Sequence, residues 1–186
     1  VTAAIATGAG ATLSGTVVVT GGTGAAVFTA LTLTGTAGNY TVSFADGVRT
    51  PATSGTIALS AGSGSQLAIT TPPSATVQNA VAFPQQPSIE LRDASNNQVL
   101  QAGVQVFVNI AGGGGTLGGT ASVFTNASGV ATFTGLSITG IIGNRTLIFS
   151  AGGYTSILSS TITVSAGSAT QLSISTAPSS SSASGA

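Results

Sequence analysis

Any chemistry in this chain must come from very few side chains. There are three carboxylates (Asp46, Glu90, Asp93), three guanidiniums (Arg49, Arg92, Arg145) and two phenols (Tyr40, Tyr154). His, Cys and Lys are absent. Proton transfer near neutral pH needs a group that titrates there, and covalent catalysis needs an activated nucleophile. Neither is on offer, so the sequence reads as non-catalytic, with no cofactor-binding or metal-binding residue assigned. Glu90 and Arg92 share a face if their segment is a strand, and read as a surface ion pair of little worth. Asp93 opens the cluster ASNN, where its carboxylate is expected to accept the turn's own amide protons. Asp93, Asn96 and Asn97 together offer hard oxygens for calcium, but one carboxylate is too little charge for tight binding.

Three other patterns bear on function. GGGTLG (113–118) satisfies the dinucleotide spacing GxGxxG. No helical pattern follows it and no acidic residue lies about 20 positions on, so it reads as a loop. Asn39-Tyr-Thr, Asn126-Ala-Ser and Asn144-Arg-Thr are sequons, which makes Asn39, Asn126 and Asn144 candidate glycan acceptors. Turn chemistry alone also accounts for them. The runs TALTLTGT (29–36) and TITVS (161–165) suggest a threonine ladder that could face ice, though Thr is simply a good strand residue.

The elements that hold these residues come in two copies. GAAVFTALTLTGTAGNYTVSFADGV (24–48) returns as GVATFTGLSITGIIGNRTLIFSAGG (129–153), and IALSAGSGSQLAITTPPS (57–74) returns as ITVSAGSATQLSISTAPS (162–179). Phe28 maps to Phe133, Asn39 to Asn144 and Gln66 to Gln171, each 105 positions on. That period is too long for a solenoid turn and fits a small β-sandwich. Residues 1–61 match the later part of a unit, 62–166 make one whole unit, and 167–186 supply the first strand of another with a Ser-rich tail. The phasing leads to two expectations. Either the array is longer than the chain, or neighbours complete it. In either case residues 1–61 should not fold alone.

Charged residues are 3% of the chain and sum to zero, so nucleic acid has no basic footprint to meet and anionic lipid no polybasic anchor. No apolar run approaches the ~20 residues of a membrane span. At 42% hydrophobic the chain can still bury a core of small side chains. Within the whole unit, QLAIT (66–70), PSIELRD (87–93), VQVFVNI (104–110), SVFT (122–125), VATFTGL (130–136), RTLIFSA (145–151) and SSTITVS (159–165) read as strands. Pro72-Pro73 marks an edge or a switch between sheets. NASG (126–129) reads as a hairpin turn. The alternation puts Leu67, Ile69, Ile89, Leu91, Val104, Val106, Val108, Phe133, Leu147, Phe149, Ile162 and Val164 in the core, and points Phe107 away from it. Seven short strands in about 100 residues predict an all-β fold of tandem immunoglobulin-like β-sandwich domains arranged end to end.

LRDASNNQV (91–99), TNASGVATF (125–133) and TITVSAG (161–167) resemble the bacterial immunoglobulin-like repeats of invasin- and intimin-type surface proteins and large secreted adhesins. The first copy departs in its hairpin, where VTGGTGAAVF (19–28) lacks the Asn. The resemblance implies an extracellular or cell-surface structural segment, an adhesin stalk or appendage filament. Its partners would be neighbouring copies of the same repeat or chain, and surface glycans. An alternative is a self-assembling filament subunit joined by β-strand exchange, with QLSIST (171–176) as donor. A carbohydrate- or ice-binding module ranks third, being poor in exposed aromatics.

Overall fold

The computed structural model describes residues 1–169 and 171–177. The chain is all-β: seventeen strands and no helix form among the described residues. In the first 61 residues they are β1 (Thr2–Thr7), β2 (Ala11–Ser14), β3 (Thr32–Gly35), β4 (Gly38–Ala45), β5 (Ala52–Thr53) and β6 (Ile57–Leu59). Then follow β7 (Gly64–Thr71), β8 (Thr76–Gln78), β9 (Ser88–Asp93), β10 (Gln105–Gly112), β11 (Thr116–Gly118) and β12 (Ser122–Phe124). The last are β13 (Val130–Thr132), β14 (Ser137–Thr139), β15 (Gly143–Ser150), β16 (Ile157–Leu158) and β17 (Ile162–Ser165).

Residues 62–166 form a two-layer sandwich. One layer runs β12-β10-β15-β17-β8, with β16 also on β15. The other contains β13-β9-β7, and β11 pairs with β14 beside it. Period-two alternation sends one face of each strand into the gap. Leu67, Ile89 and Leu91 from one layer meet Val106, Val108, Leu147, Phe149, Ile162 and Val164 from the other. Phe133 and Phe149 are both fully buried, their ring centroids 5.5 Å apart and tilted, the geometry an aromatic pair prefers. Of the residues the alternation assigns to the core, Ile69 and Val104 are only half-buried, packed against its rim. Phe83, Val77, Leu136 and Ile138 are buried as well. Phe107 does face outward, at 42% exposure.

Two sequence expectations change in detail. The prolines mark both an edge and a switch: β7 ends one layer antiparallel to β9, and after Pro72-Pro73 the chain crosses to pair β8 in parallel with β17 at the other layer's edge. NASG is not a hairpin within one sheet. The turn closes locally, with the Asn126 N–H donating to Val130 O at 2.9 Å. But β12 pairs with β10 while β13 pairs with β9, so the chain passes between layers there. The crossing is anchored on both sides. Buried Thr125 donates from Oγ1 to Gln101 O and accepts from Val104 N. Gly129 O accepts from Leu91 N at 3.0 Å.

In residues 1–61 the partners of β4 fall at the same register, 105 positions earlier, whereas β2–β3 is shifted by one residue, Ala11↔Gly35 against Thr116↔Thr139. Ile5↔Val42 corresponds to Ile110↔Leu147, each next to a register shift. Ser43↔Thr53 corresponds to Ile148↔Leu158, and Gly38↔Leu59 to Gly143↔Val164. Phe28 and Phe44 pack at 5.3 Å and 55°, against 5.5 Å and 53° for Phe133 and Phe149. The burial differs. Phe28 and Phe44 are half-exposed, because no counterpart of β7 or β9 covers that face in these residues.

Candidate functional site

The charged residues do not converge on one place. Asp46 closes a local turn: its Oδ1 accepts from Val48 N at 3.0 Å and Arg49 N at 2.8 Å, and the Arg49 guanidinium pairs with Oδ2. Those contacts, the Arg49 amide first, lower its pKa to about 2. Glu90 and Arg92 do pair, with Arg92 Nε 2.9 Å from Glu90 Oε1. The surface placement needs correction, because the Glu90 side chain is only 10% exposed and that of Arg92 27%. β9 is the middle strand of its sheet, so side chains of β7 and β13 crowd even its outward face. The two atoms approach without hydrogen-bond alignment.

Arg145 is the surprise. It is 5% exposed, and its guanidinium donates to the carbonyls of Asn144 (2.8 Å) and Ile141. Its counterpart 105 positions earlier is Tyr40, also buried, whose hydroxyl donates to Thr36 O, the counterpart of Ile141 O. Two unlike side chains hold the same turn. Arg145 therefore has a structural role and is not presented to a ligand.

Asp93 gathers the most partners. Its Oδ1 accepts from Ser95 N at 2.9 Å and Asn97 N at 2.8 Å, as the turn chemistry predicts. Asn96 takes the left-handed conformation, φ 65°, that lets the turn close. Oδ2 reaches further, accepting from Asn97 Nδ2 at 2.9 Å and from Gly62 N at 2.8 Å. The Asn97 side chain then bridges to the first 61 residues. Its Oδ1 accepts from Ala37 N at 2.8 Å and its Nδ2 donates to Gly35 O at 2.9 Å. Asp93 and Asn97 are both buried, so this is a shielded clamp joining the β9 turn, the connection at Gly62 and the Gly35–Ala37 turn. The Asn97 side-chain amide, followed by the backbone N–H groups, lowers the Asp93 pKa to about 2 against the opposing effect of burial.

This arrangement does not build a calcium site. The donors around Asp93 are N–H groups, the Asn97 oxygen is taken by Ala37, and Asn96 is exposed. Among the described residues no three His, Cys, Asp or Glu gather around a common point. An open cleft of about 770 Å³ lies beside the clamp, lined by Ala37, Ser60, Gly62, Asn97, Val99 and Leu100 among others. Its walls are amides and small aliphatic groups, with no nucleophile set against a base.

The glycine loop ahead of β11 leads into a strand, and Arg145 packs on Gly113. Asn39 and Asn144 are exposed on β4 and β15. Asn144 Oδ1 accepts from Thr163 Oγ1 at 3.2 Å. Asn126 is exposed, with its Oδ1 accepting from Ser128 N and Val130 N, as an Asx turn does. The threonine ladder amounts to two cross-strand rungs, Thr12–Thr34 at 3.2 Å and Ser14–Thr32 at 3.0 Å, whose hydroxyls bond each other. Of the QLSIST segment, Gln171 to Thr176 lie outside any strand, and the tail from Pro178 is outside the described residues.

Sequence reasoning found the Asp93 turn and missed the partners 60 residues away. One signal was present: the tetrapeptide Ser-Ala-Gly-Ser at 60–63 recurs at 165–168, and Gly35 recurs as Gly140.

No protein-family model matches the chain, and no curated protein matches it. Among solved structures, the D00-D0 domain of intimin is similar at 18% identity and TM-score 0.46, over 68% of this chain and 64% of that one. The D0-D1 domain of intimin is similar at 14% identity and TM-score 0.40, over 88% of this chain and 79% of that one. A glycosyl hydrolase family 2 member from Bacteroides cellulosilyticus is similar at 17% identity and TM-score 0.46 over 69% of this chain, which spans 17% of the enzyme.

Proposed function

We propose that the chain is a non-catalytic structural segment of a bacterial cell-surface or extracellular fibrous protein, in which copies of one immunoglobulin-like sandwich follow one another end to end. The observation that carries the reading is the Asp93–Asn97 clamp. It reaches from one copy to the next with two side-chain hydrogen bonds, Ala37 N to Asn97 Oδ1 at 2.8 Å and Asn97 Nδ2 to Gly35 O at 2.9 Å, and Asp93 braces it from within its own copy through Asn97 Nδ2 and Gly62 N. The matching strand registers 105 positions apart support the same reading. A joint fixed by such bonds behaves as a stiff connector, unlike a Gly/Ser tether. Almost all of the charge is spent locally, on Asp46–Arg49, Glu90–Arg92 and the clamp, which suits a spacer exposed to variable salt. The surface role and the bacterial setting rest on the sequence resemblance to invasin- and intimin-type repeats.

A second reading has its own observation. Leu172 and Ile174 are 102% and 78% exposed, while their counterparts Leu67 and Ile69 are buried and half-buried in β7. QLSIST could therefore complete the half-exposed face of residues 1–61 in another copy by strand addition. Denaturing the native material and weighing the chain separates the two. A very large polypeptide supports the tandem segment, and a mass near 17.6 kDa supports strand exchange.

A further inference from the structure

Resting on the tandem reading, we propose that the end of the 62–166 unit formed by Gly140–Ile142 is a docking surface for the Asp93–Asn97 turn of a second copy of that unit. The surface is defined by internal correspondence. Gly35 O and Ala37 N are the two backbone groups of the first 61 residues that receive the clamp. Displaced by 105 positions they become Gly140 O and Ile142 N. The frame matches on the β4 and β15 side, while Gly35 pairs with Ala11 and Gly140 lies just past β14, its N–H donating to Asn79 Oδ1 at 2.8 Å. β4 and β15 have equal length and register with their neighbours, and the turn before each is held by a buried side chain, Tyr40 or Arg145.

What differs is the side chain at the contact. The first copy offers Thr36 and Ala37, and the second offers Ile141 and Ile142, exposed by 83% and 58%. Two neighbouring isoleucines in water are costly unless covered. The occupant's own surface says what would cover them. In the joint that exists, Ala37 faces a cleft also lined by Val99 and Leu100, and Leu100 remains 72% exposed. An isoleucine in place of Ala37 would put apolar surface where that cleft stands open. The same turn, brought by a second copy, thus finds its two backbone partners and an apolar neighbour for Leu100. The outer sheet face bearing Phe107 and Phe124 is also apolar, but nothing comparable sits on its counterpart in the first copy.

The test extends the full chain, fusing a second copy of 62–166 after Ala166, with Ile142→Val in the added copy so that its peptides differ in mass. Hydrogen exchange of the receiving 137–145 segment is compared with that in the original chain. The Ile142 amide should exchange about tenfold more slowly, the change worth one net hydrogen bond. Asn97→Ala in the added copy should abolish that slowing, with exchange at the added copy's β9 confirming that it is folded. Leu100→Asp in the added copy, at an exposed position, should reduce the slowing without touching the clamp. Unchanged exchange at Ile142 on fusion would overturn the proposal. So would slowing that survives both substitutions. Neither result bears on the chain-mass measurement, so failure of the docking surface and failure of the tandem reading remain distinct.

Discussion

Phe133→Ala and Phe28→Ala remove the same ring from corresponding positions and should have unequal costs. Phe133 is fully buried between the layers and packs at a tilt against Phe149. Its loss forfeits about 1.5–3 kcal/mol of transfer free energy. A closed void of roughly 100 Å³ adds about 2 kcal/mol at 24 cal/mol per Å³, giving about 3–5 kcal/mol in all. Phe28 keeps the same ring pairing but is half-exposed, so solvent fills the space and only part of the transfer term is lost. About 1 kcal/mol is expected there. Native-state hydrogen exchange across a urea series reads both effects in the intact chain, with the β9 amides reporting on one copy and the β4 amides on the other. Equal losses at the two sites would refute the reasoning, because they would mean that the face beside Phe28 is covered as completely as that beside Phe133.

Other consequences are as direct. Stability should be flat above about pH 5 and fall between about pH 4 and pH 2. The Asp93 carboxyl is more acidic folded, at about 2, than unfolded, so its contribution is whole above the unfolded value and lost as the pH drops through the folded one. A urea midpoint measured against pH checks this, and Asn97→Ala should shift the acid transition upward. Gly129→Ala should cost about 1–3 kcal/mol, since Gly129 sits at φ +72° and an added Cβ would strike Val99 O. Its denaturation midpoint tests that. Arg145→Tyr should be neutral or stabilising by about 1 kcal/mol, because it replaces a buried cation with the residue that holds the same turn in the first copy. A thermal melt that drops sharply would contradict that equivalence.

The legible parts of this chain are those where one strand states its own pattern. Gln66–Thr70, Pro87–Asp93 and Val104–Ile110 alternate long enough to reveal both strand and face, and their structures follow. β8, β14 and β16 are two or three residues long, too short for a period to register, so Val77 and Ile138 were absent from the expected core. NASG announced a turn correctly, but a turn's chemistry does not say which sheet receives the next strand. Glu90 looked exposed because alternation gives a side chain's direction without saying what crowds it. The clamp was half visible. Asp93's bonds to Ser95 and Asn97 are local, whereas those from Asn97 to Gly35 and Ala37 cross 60 residues and depend on how the copies meet.

The central claim is that consecutive copies are joined stiffly through Asn97. The most direct measurement is backbone nitrogen relaxation of the full chain, read separately for the β4 amides and the β15 amides, with and without Asn97→Ala. The account predicts one shared rotational correlation time in the native chain, parting into two shorter ones in the variant while both sheets keep their chemical shifts. Two independent correlation times in the native chain would contradict it.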